Sequence, residues 1–437
     1  MLERSLVELT GENFPESKEP LHLHPFFASH ISKIVKVSHP YIHMFYTYCN
    51  KEIFGEGSSS DVHKALETSI YEAMERYFAM RYEDQVLIYD SRQNLREAID
   101  VRELILMKEW EYVNAHYSYV RYNDELKLHW CRCYEIRNMK LIPRLIPATL
   151  AILRYSWKYR NERFAPTLSP GAASGDNYSK ALLHGLYELV ERDAFMMTWL
   201  NRLSCEKIVV DEFLSEELTS SLRRLIEDGY KVEFVNITTE FKIPVILALI
   251  SQGEIKLSTT NYISFGLGSN LNPKKALMRA FSEALEIMVN YYNFDDPGII
   301  RMKNIRTAVD NFDLKNYFEK CSFLTESENE CTVNQLPITE SVDDVNELET
   351  CVSRLVDRGL NVYFADLTPP QLRNAKYCLI RAFVSYLQPH LIEWDCWRLD
   401  NPRIYTAPIE MGYRTKPISE DQLNLIQNPF AVMGQFI

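Results

Sequence analysis

The stretch Lys180–Trp199, KALLHGLYELVERDAFMMTW, decides how the chain is interpreted. It is apolar almost all round, which is typical of a helix that lies inside a protein. Glu188, Glu191 and Arg192 stand at i, i+3 and i+4, so a helix places them on one face. Because glutamates are almost never buried without a partner, this face either forms an internal ion pair or serves a bound group. The stretch alone leaves both interpretations open.

The same pattern occurs in two other places along the chain. Each copy begins with Lys-Ala-Leu, at Lys64, Lys180 and Lys275, and has glutamates eight and eleven residues after the lysine. These glutamates are Glu72 and Glu75, then Glu188 and Glu191, then Glu283 and Glu286. Three spaced copies on otherwise apolar helices are hard to obtain by accident, so we predict three related strand–loop–helix units.

An arginine accompanies each pair of glutamates. Arg76 and Arg192 follow twelve residues after the lysine, at the same place in the first and second copies. The third copy has Ile287 there, and Arg279 stands instead one turn before Glu283. We expect Arg279 to supply the missing cation of the third helix.

Each of the three helices follows a segment that contains glycine, at 55–57, 171–175 and 266–268, which we predict to be loops. Glycine lets the backbone approach a ligand, and helix N-termini attract phosphate. The expected helix caps are Asp61 or Ser60, then Ser179 or Asp176, then Asn272 with Pro273 at the first helical position.

If the three faces converge, six carboxylates meet, and they cannot all remain ionised without compensation. Three arginines do not suffice, so the pattern indicates divalent cations, and oxygen-only ligands favour Mg²⁺. Mg²⁺ held by carboxylates normally brings phosphates with it. The residues therefore predict a Mg-nucleotide site without a Walker A loop, and a structural protein whose charges pair internally is the alternative.

Composition limits the remaining classes. The 437 residues are 46% hydrophobic and 25% charged, which is ordinary for a soluble globular protein. A net charge of −12 argues against a partner bound by general electrostatics, such as nucleic acid. The nine cysteines lack metal-ligand spacing, the N-terminus has no signal-peptide pattern, and no apolar run reaches a membrane span of ~18 residues. We expect a cytoplasmic protein with no membrane partner.

The expected fold is one mixed α/β (α+β) body in which the three helices converge on the site. We predict an arm and first strand at 1–54, the main domain at 55–396 with an exposed insertion at 300–345, and an irregular tail at 397–437. Two segments, 213–239 and 345–370, share an amphipathic helix followed by an alternating strand.

The chain resembles the YcaO superfamily in four pieces that follow the order seen in that family. They are YEAMERY (71–77), SPGAASGDNYSKALLHGLYELVERDAF (169–195), FGLGSNLNPKKALMRAFSEALE (265–286) and NVYFADLTPP (361–370). The resemblance implies ATP-dependent activation of a peptide backbone amide, with ATP and Mg²⁺ as cofactors. One branch forms azolines from Cys, Ser or Thr, and others form thioamides or amidines; a nucleotide-binding scaffold subunit is a further alternative.

The resemblance also implies roles for individual residues. The catalytic set is Glu191, Arg192 and Glu283. The Mg²⁺ set is Glu72, Glu75, Glu188, Glu191 and Glu283. The nucleotide set is Glu72, Arg76, Ser174, Asp176, Glu188, Arg279 and Glu286.

Three departures from the family pattern stand out. Lys180 replaces a frequent acid, Glu286 replaces a frequent glutamine, and the tail NPFAVMGQFI has only Pro429 where azoline-forming members often end in PxPxP. The expected partners are a precursor peptide, a separate protein that recognises its leader, and a second copy of the chain in a homodimer.

Overall fold

The computed structural model describes residues 2, 6, 25–49, 53–81, 86–114, 119–210, 216–252, 263–292, 321–373, 376–389 and 396–426. The longer helices within these ranges are α1 Val62–Ala79, α2 Tyr178–Asn201, α3 Glu216–Glu227, α4 Pro273–Tyr292, α5 Asp344–Val356 and α6 Arg403–Glu410. Short helices lie at Pro25–Ala28, Arg102–Ile105, Glu109–Asn114 and Ala148–Ala151.

The strands form three sheets. They are β1 Lys33–Ser38, β2 His43–Tyr48, β3 Phe54–Ser59, β4 Ile88–Ser91, β5 Lys127–Arg137, β6 Lys140–Pro147, β7 Ala172–Gly175, β8 Lys207–Val209, β9 Tyr230–Asn236, β10 Val245–Gln252, β11 Ile263–Ser269, β12 Glu330–Thr332, β13 Val362–Asp366 and β14 Cys378–Val384. The sheet orders are β1-β2-β3, β11-β10-β9-β8-β12 and β4-β5-β13-β14-β7, with β6 also paired to β5. This mixed α+β fold confirms the predicted class.

Helix α2 lies at the centre of the largest core cluster, as its apolar sequence predicts. Leu186, Phe195 and Trp199 are buried in that cluster together with side chains of β11, α5 and β14. The helix begins after Asn177, whose side chain accepts the Lys180 N–H, so neither of the two caps predicted for it is used. Asp61 and Asn272 cap α1 and α4 as predicted.

The loops predicted before α1, α2 and α4 are strands, so these three predictions are wrong. Segment 55–57 lies in β3, 172–175 is β7 and 266–268 lies in β11. A Cβ atom on Gly57 would come within 2.1 Å of the Ala65 carbonyl oxygen, and one on Gly268 within 2.1 Å of the Ala276 carbonyl oxygen. The strand backbone therefore lies directly on the helix, and glycine is needed for close approach rather than for a turn.

Two predicted segments contain regular structure that the sequence did not indicate. Residues 321–345, predicted as part of an exposed insertion, supply β12 and bury Cys321 and Leu324; residues 300–320 lie outside the described part. The predicted irregular tail contains α6, and its residues 427–437 are not among those described. Strand β12 and helix α6 are each too short to show a clear hydrophobic period in the sequence.

The helix–strand units predicted at 213–239 and 345–370 are present as α3 with β9 and α5 with β13. All nine cysteines are free and buried, which agrees with their use as small apolar residues. None of the helices in the described ranges is long and apolar enough to cross a membrane.

Candidate functional site

The glutamate eight residues after each lysine is held by the strand that precedes its own helix. Glu72 accepts the Glu56 N–H at 2.5 Å, and Glu283 accepts the Leu267 N–H. Glu188 accepts the Gly171 N–H at 2.9 Å, just before β7. Each unit thus aims one carboxylate along the edge of its strand. The side chains of Glu72, Glu188 and Glu283 remain 30% exposed, so they line a cleft rather than fill the core.

The glutamate eleven residues after each lysine reaches the next unit and not its own. Glu75 of α1 accepts the Ser174 N–H of β7 at 2.8 Å, and Glu191 of α2 accepts the Ser269 N–H of β11 at 2.6 Å. Glu286 of α4 accepts the Ser58 hydroxyl of β3 at 2.5 Å. The three units therefore form a closed ring, in which each helix contacts the strand of the following unit. The predicted convergence of the three helices is present.

The three predicted arginines lie within this ring in different ways. Arg76 pairs with Glu72 of its own helix at 2.7 Å. Arg192 bridges two units, because its Nη2 lies 3.6 Å from the Glu283 carboxylate as well as 4.0 Å from Glu188. Arg279 donates to the carbonyl oxygen of residue 269 at 3.2 Å. It therefore lies at the α2–α4 boundary, beside Glu191, and does not occupy a position equivalent to Arg76.

Burial, with repulsion between neighbouring acids, raises the pKa of five of the ring glutamates. Burial, together with the charges of Glu72 and Glu188, raises the pKa of Glu75 to about 8. Burial raises the pKa of Glu191 to about 7 against the opposing charge of Arg192. The pKa of Glu283 is also raised, chiefly by burial. A site that raises the pKa of several carboxyls at once favours a cation that would stabilise their ionised forms.

The contact between α4 and β3 includes an additional acid, Glu56, which belongs to no repeated position in the sequence. Glu56 lies close to Glu286 and accepts the Asn290 side-chain amide at 3.1 Å. Burial and the charge of Glu56 raise the pKa of Glu286 well above its ordinary value.

Arg381 of β14 is a second residue that the sequence did not reveal. Its side chain is 3% exposed, and its Nη2 donates to the Leu168 carbonyl oxygen. Its Nε and Nη1 atoms have no hydrogen-bond partner among the described residues, although it lies close enough to Glu188 for their charges to interact. A buried guanidinium with two unused donors beside the cleft fits an anionic neighbourhood better than a purely structural role.

Asp176 is the predicted site residue that lies apart from the ring. Its carboxylate accepts Lys180 Nζ at 2.7 Å, and Asp344 lies 3.9 Å from the same ammonium group. Lys180, one of the three departures from the family pattern, is thus already paired with acids. Ser174, in contrast, lies in the ring and donates both its N–H and its hydroxyl to Glu75.

One sequence signal could have located the ring. Ser58, Ser174 and Ser269 each stand six residues before the lysine of their copy. The repeat therefore extends upstream of Lys-Ala-Leu to a serine whose N–H or hydroxyl meets a glutamate of the preceding unit. Arg381 offers no such signal, because a lone arginine in a buried strand belongs to no repeat.

The donor set fits Mg²⁺ and phosphate, although the ligands are not drawn together. Within the described ranges, no three Asp, Glu, His or Cys side chains lie close enough to hold a metal ion as they stand. The carboxylates are held apart by backbone N–H groups and arginines, as their mutual repulsion requires. Carboxylate oxygens alone suit Mg²⁺, and guanidinium groups beside them suit phosphate oxygens.

Comparison with known proteins agrees with this chemistry. A family model described as YcaO cyclodehydratase, ATP- and Mg²⁺-binding, matches residues 56–387. A curated relative from Rhizobium leguminosarum bv. trifolii, an uncharacterized protein in the tfuA 3′ region, is 35% identical over 124 residues. That alignment covers 27% of this chain and 30% of the relative.

Two solved structures share the fold. A heterocyclase in complex with substrate and cofactor superimposes with a TM-score of 0.77 at 19% identity, over 92% of this chain and 55% of the heterocyclase. The YcaO protein from Methanopyrus kandleri bound with AMPPCP and Mg²⁺ superimposes with a TM-score of 0.62 at 16% identity, over 89% of this chain and 91% of that protein. This chain thus spans about half the length of the heterocyclase. The chain belongs to the YcaO family, whose description names the two cofactors predicted from the sequence, ATP and Mg²⁺.

Proposed function

We propose that this protein uses ATP to activate backbone amides of a ribosomally made precursor peptide and forms azoline heterocycles from Cys, Ser or Thr. The observation that carries the proposal is the closed ring of three units, in which acids of all three helices line one cleft. Its support is the chemistry of that cleft together with the family. The structural alternative, in which the charges only pair internally, has to balance the six repeated glutamates with three arginines.

In this proposal the carboxylates hold Mg²⁺ and the arginines hold phosphate oxygens. The metal set is Glu72, Glu75, Glu188, Glu191 and Glu283, and the phosphate set is Arg76, Arg192 and Arg279. ATP supplies a phosphoryl group that converts the amide oxygen into a leaving group. Glu191, Arg192 and Glu283 meet at the α2–α4 boundary and form the proposed catalytic set.

The partners in this proposal are the precursor peptide, a separate protein that recognises its leader, and a second copy of the chain. We place the reaction in the cytoplasm, a reducing compartment in which nine free cysteines would be stable.

A first experiment tests the nucleotide site without any peptide. Binding of Mg-AMPPCP is measured by isothermal titration calorimetry for the wild type, Glu191→Gln and Arg279→Ala. Arg279 belongs to the proposed phosphate set, so its replacement should weaken nucleotide binding. Because Arg279 is exposed, the replacement should leave thermal unfolding unchanged. Wild-type affinity in both variants would refute the proposed site, and unfolding of Arg279→Ala would favour the structural alternative.

A second experiment identifies the product. The protein is incubated with Mg-ATP and with the small peptides and partner proteins encoded beside its gene, and the peptides are analysed by mass spectrometry. Azoline formation removes one water, ~18 Da per site, through phosphorylation of the amide oxygen. In a parallel incubation with added sulfide, which displaces the phosphorylated oxygen as phosphate, a gain of ~16 Da would assign the thioamide branch. Unchanged peptide without ADP release would indicate a scaffold subunit.

A further inference from the structure

The loop 154–163, RYSWKYRNER, displays aromatic side chains at the surface. Trp157 is 43% exposed and Tyr159 is 49% exposed. Tyr89 of strand β4 is 40% exposed, and its ring lies 4.7 Å from that of Tyr159. Large aromatic side chains grouped in this way at a surface are typical of recognition sites.

The conformation of this loop is fixed from beneath by Glu162, whose side chain is 1% exposed. Its carboxylate accepts the backbone N–H groups of residues 129, 158 and 159 and the Tyr155 hydroxyl. It also pairs with His129 Nδ1 at 2.5 Å, and the His129 ring stacks against Tyr159 at 6.0 Å and 9°. The aromatic rings are thus held in place before any partner binds, which lowers the entropy lost on binding.

The same loop is basic in a protein whose net charge is −12. Its exposed cations are Arg154, Lys158 and Arg160, and the Arg163 guanidinium lies 5.2 Å from the Trp157 ring. The one acid in the loop, Glu162, is buried against His129 and offers no charge to a partner. We call the surface formed by Tyr89, Arg154, Trp157, Lys158, Tyr159 and Arg160 the basic aromatic surface.

We propose that the basic aromatic surface binds an extended, acidic segment of peptide that also carries apolar side chains. The cations complement acidic side chains, and the preset rings supply apolar contact to the residues between them. A single-stranded nucleic acid also suits cations and aromatic rings. It is disfavoured here because three exposed cations neutralise few phosphates.

The position of this surface suits a segment that precedes or follows the modified residues. Strand β4 is one edge of the sheet β4-β5-β13-β14-β7, and β7, which carries Ser174, is the other edge. Four strand spacings amount to ~19 Å, a span that about six extended residues cover. Identification of the segment as part of the peptide substrate rests on the proposed function, whereas binding of an acidic peptide does not.

The test uses a phage library of random 12-residue peptides, selected on the full-length protein. Bound phage are counter-selected on the double variant Trp157→Ala/Tyr159→Ala. We expect enriched sequences to be rich in Asp and Glu with interspersed apolar residues. A synthetic peptide of the enriched sequence should bind the double variant about tenfold more weakly. Its affinity should also fall as salt is raised.

Two further variants separate surface chemistry from folding and from net charge. Lys158→Glu/Arg160→Glu should lower the affinity for the peptide. Lys33→Glu/Lys36→Glu makes the same change in net charge on β1 and should leave that affinity unchanged. The protein variants that bind peptide weakly should still bind Mg-AMPPCP like the wild type. If the wild type itself does not bind Mg-AMPPCP, the proposed function is refuted, whereas peptide binding at this surface is unaffected.

Several outcomes would overturn the inference. They are no enrichment, enrichment of neutral or basic sequences, equal binding to Lys158→Glu/Arg160→Glu, and equal weakening by the β1 variant. Tighter binding of a labelled 12-nucleotide single strand than of the selected peptide would assign the surface to nucleic acid instead. If the alanine double variant fails to unfold cooperatively, the charge-reversal pair decides alone.

Discussion

Glu191→Gln should stabilise the ligand-free protein at pH 8 while abolishing its response to Mg-nucleotide. Glu191 is 9% exposed, and its Oε1 accepts the Ser269 N–H at 2.6 Å. The glutamine side chain has nearly the same shape and can keep this hydrogen bond through its own oxygen. The substitution therefore removes the charge and little else.

The magnitude follows from the raised pKa of Glu191. A carboxyl whose pKa rises from 4.5 to about 7 on folding lowers the free energy of unfolding by about 3 kcal/mol once both states are ionised. The sign follows because the unfolded state loses its proton first, so stability falls as pH rises between these two values. At pH 5 the loss is only about 1 kcal/mol, and at pH 8 it is nearly complete.

The assay is thermal unfolding in EDTA at pH 5 and pH 8, repeated with Mg-AMPPCP. For a chain of this size, 3 kcal/mol corresponds to a shift of about 3 °C, so Glu191→Gln should melt about 3 °C above wild type at pH 8 and about 1 °C above it at pH 5. Ligand at a hundredfold excess over Kd should stabilise the wild type by about 3 kcal/mol and the variant by almost nothing.

The matched control is Glu67→Gln, an exposed position on α1 outside the ring, which should change neither property. A Glu191→Gln protein that melts below wild type at pH 8 would show that the carboxylate stabilises the fold. Retention of the Mg-AMPPCP shift would show that Glu191 does not serve the ligand. Either result refutes the reasoning.

Three other substitutions test the packing and charge assignments. Arg381→Met should leave the free energy of unfolding unchanged or raise it by about 1 kcal/mol, since it removes unsatisfied buried donors. In denaturant unfolding, a loss above about 2 kcal/mol would mean that the arginine supports the fold. Gly57→Ala should prevent stable folding because its Cβ would overlap a carbonyl oxygen at 2.1 Å. The control Gly229→Ala meets no atom within 4 Å and should cost only about 1 kcal/mol, so equal melting temperatures would contradict the Gly57 contact. Arg403→Met should lower the free energy of unfolding by about 3–5 kcal/mol, because Asp193 is left buried without its bidentate partner at 2.6 and 2.9 Å. A loss of less than about 1 kcal/mol in chemical denaturation would contradict this.

The helices of the site could be predicted because their signal is local. The spacing of Glu188, Glu191 and Arg192 puts them on one face of any helix, whatever surrounds it. The repetition of the two glutamates after Lys64 and Lys275 indicates that the three faces act together. Element type and the identity of the acids follow from this information alone.

The partners of those acids could not be predicted, because they come from distant parts of the chain. Glu75 and Ser174 are 99 residues apart, and Glu191 and Ser269 are 78 residues apart. Most of these partners are backbone N–H groups, which every residue but proline possesses, so the sequence does not mark them. Only the strand register selects which N–H meets which carboxylate.

The prediction of loops at the glycines before α1 and α4 fails for a related reason. Glycine indicates either a free backbone or a close approach, and the sequence does not distinguish these two uses. The choice is made by Ala65 and Ala276, small residues on the facing helices that only tertiary packing brings opposite Gly57 and Gly268.

The closed ring has a consequence for how the protein acquires its activity during synthesis. Its last link joins Ser58 to Glu286, which are 228 residues apart, so a chain emerging from the ribosome cannot complete the ring until α4 has been made and docked. A high share of such long-range contacts slows folding. Under the proposed function, the chain therefore gains the ability to bind nucleotide only when this last link has formed.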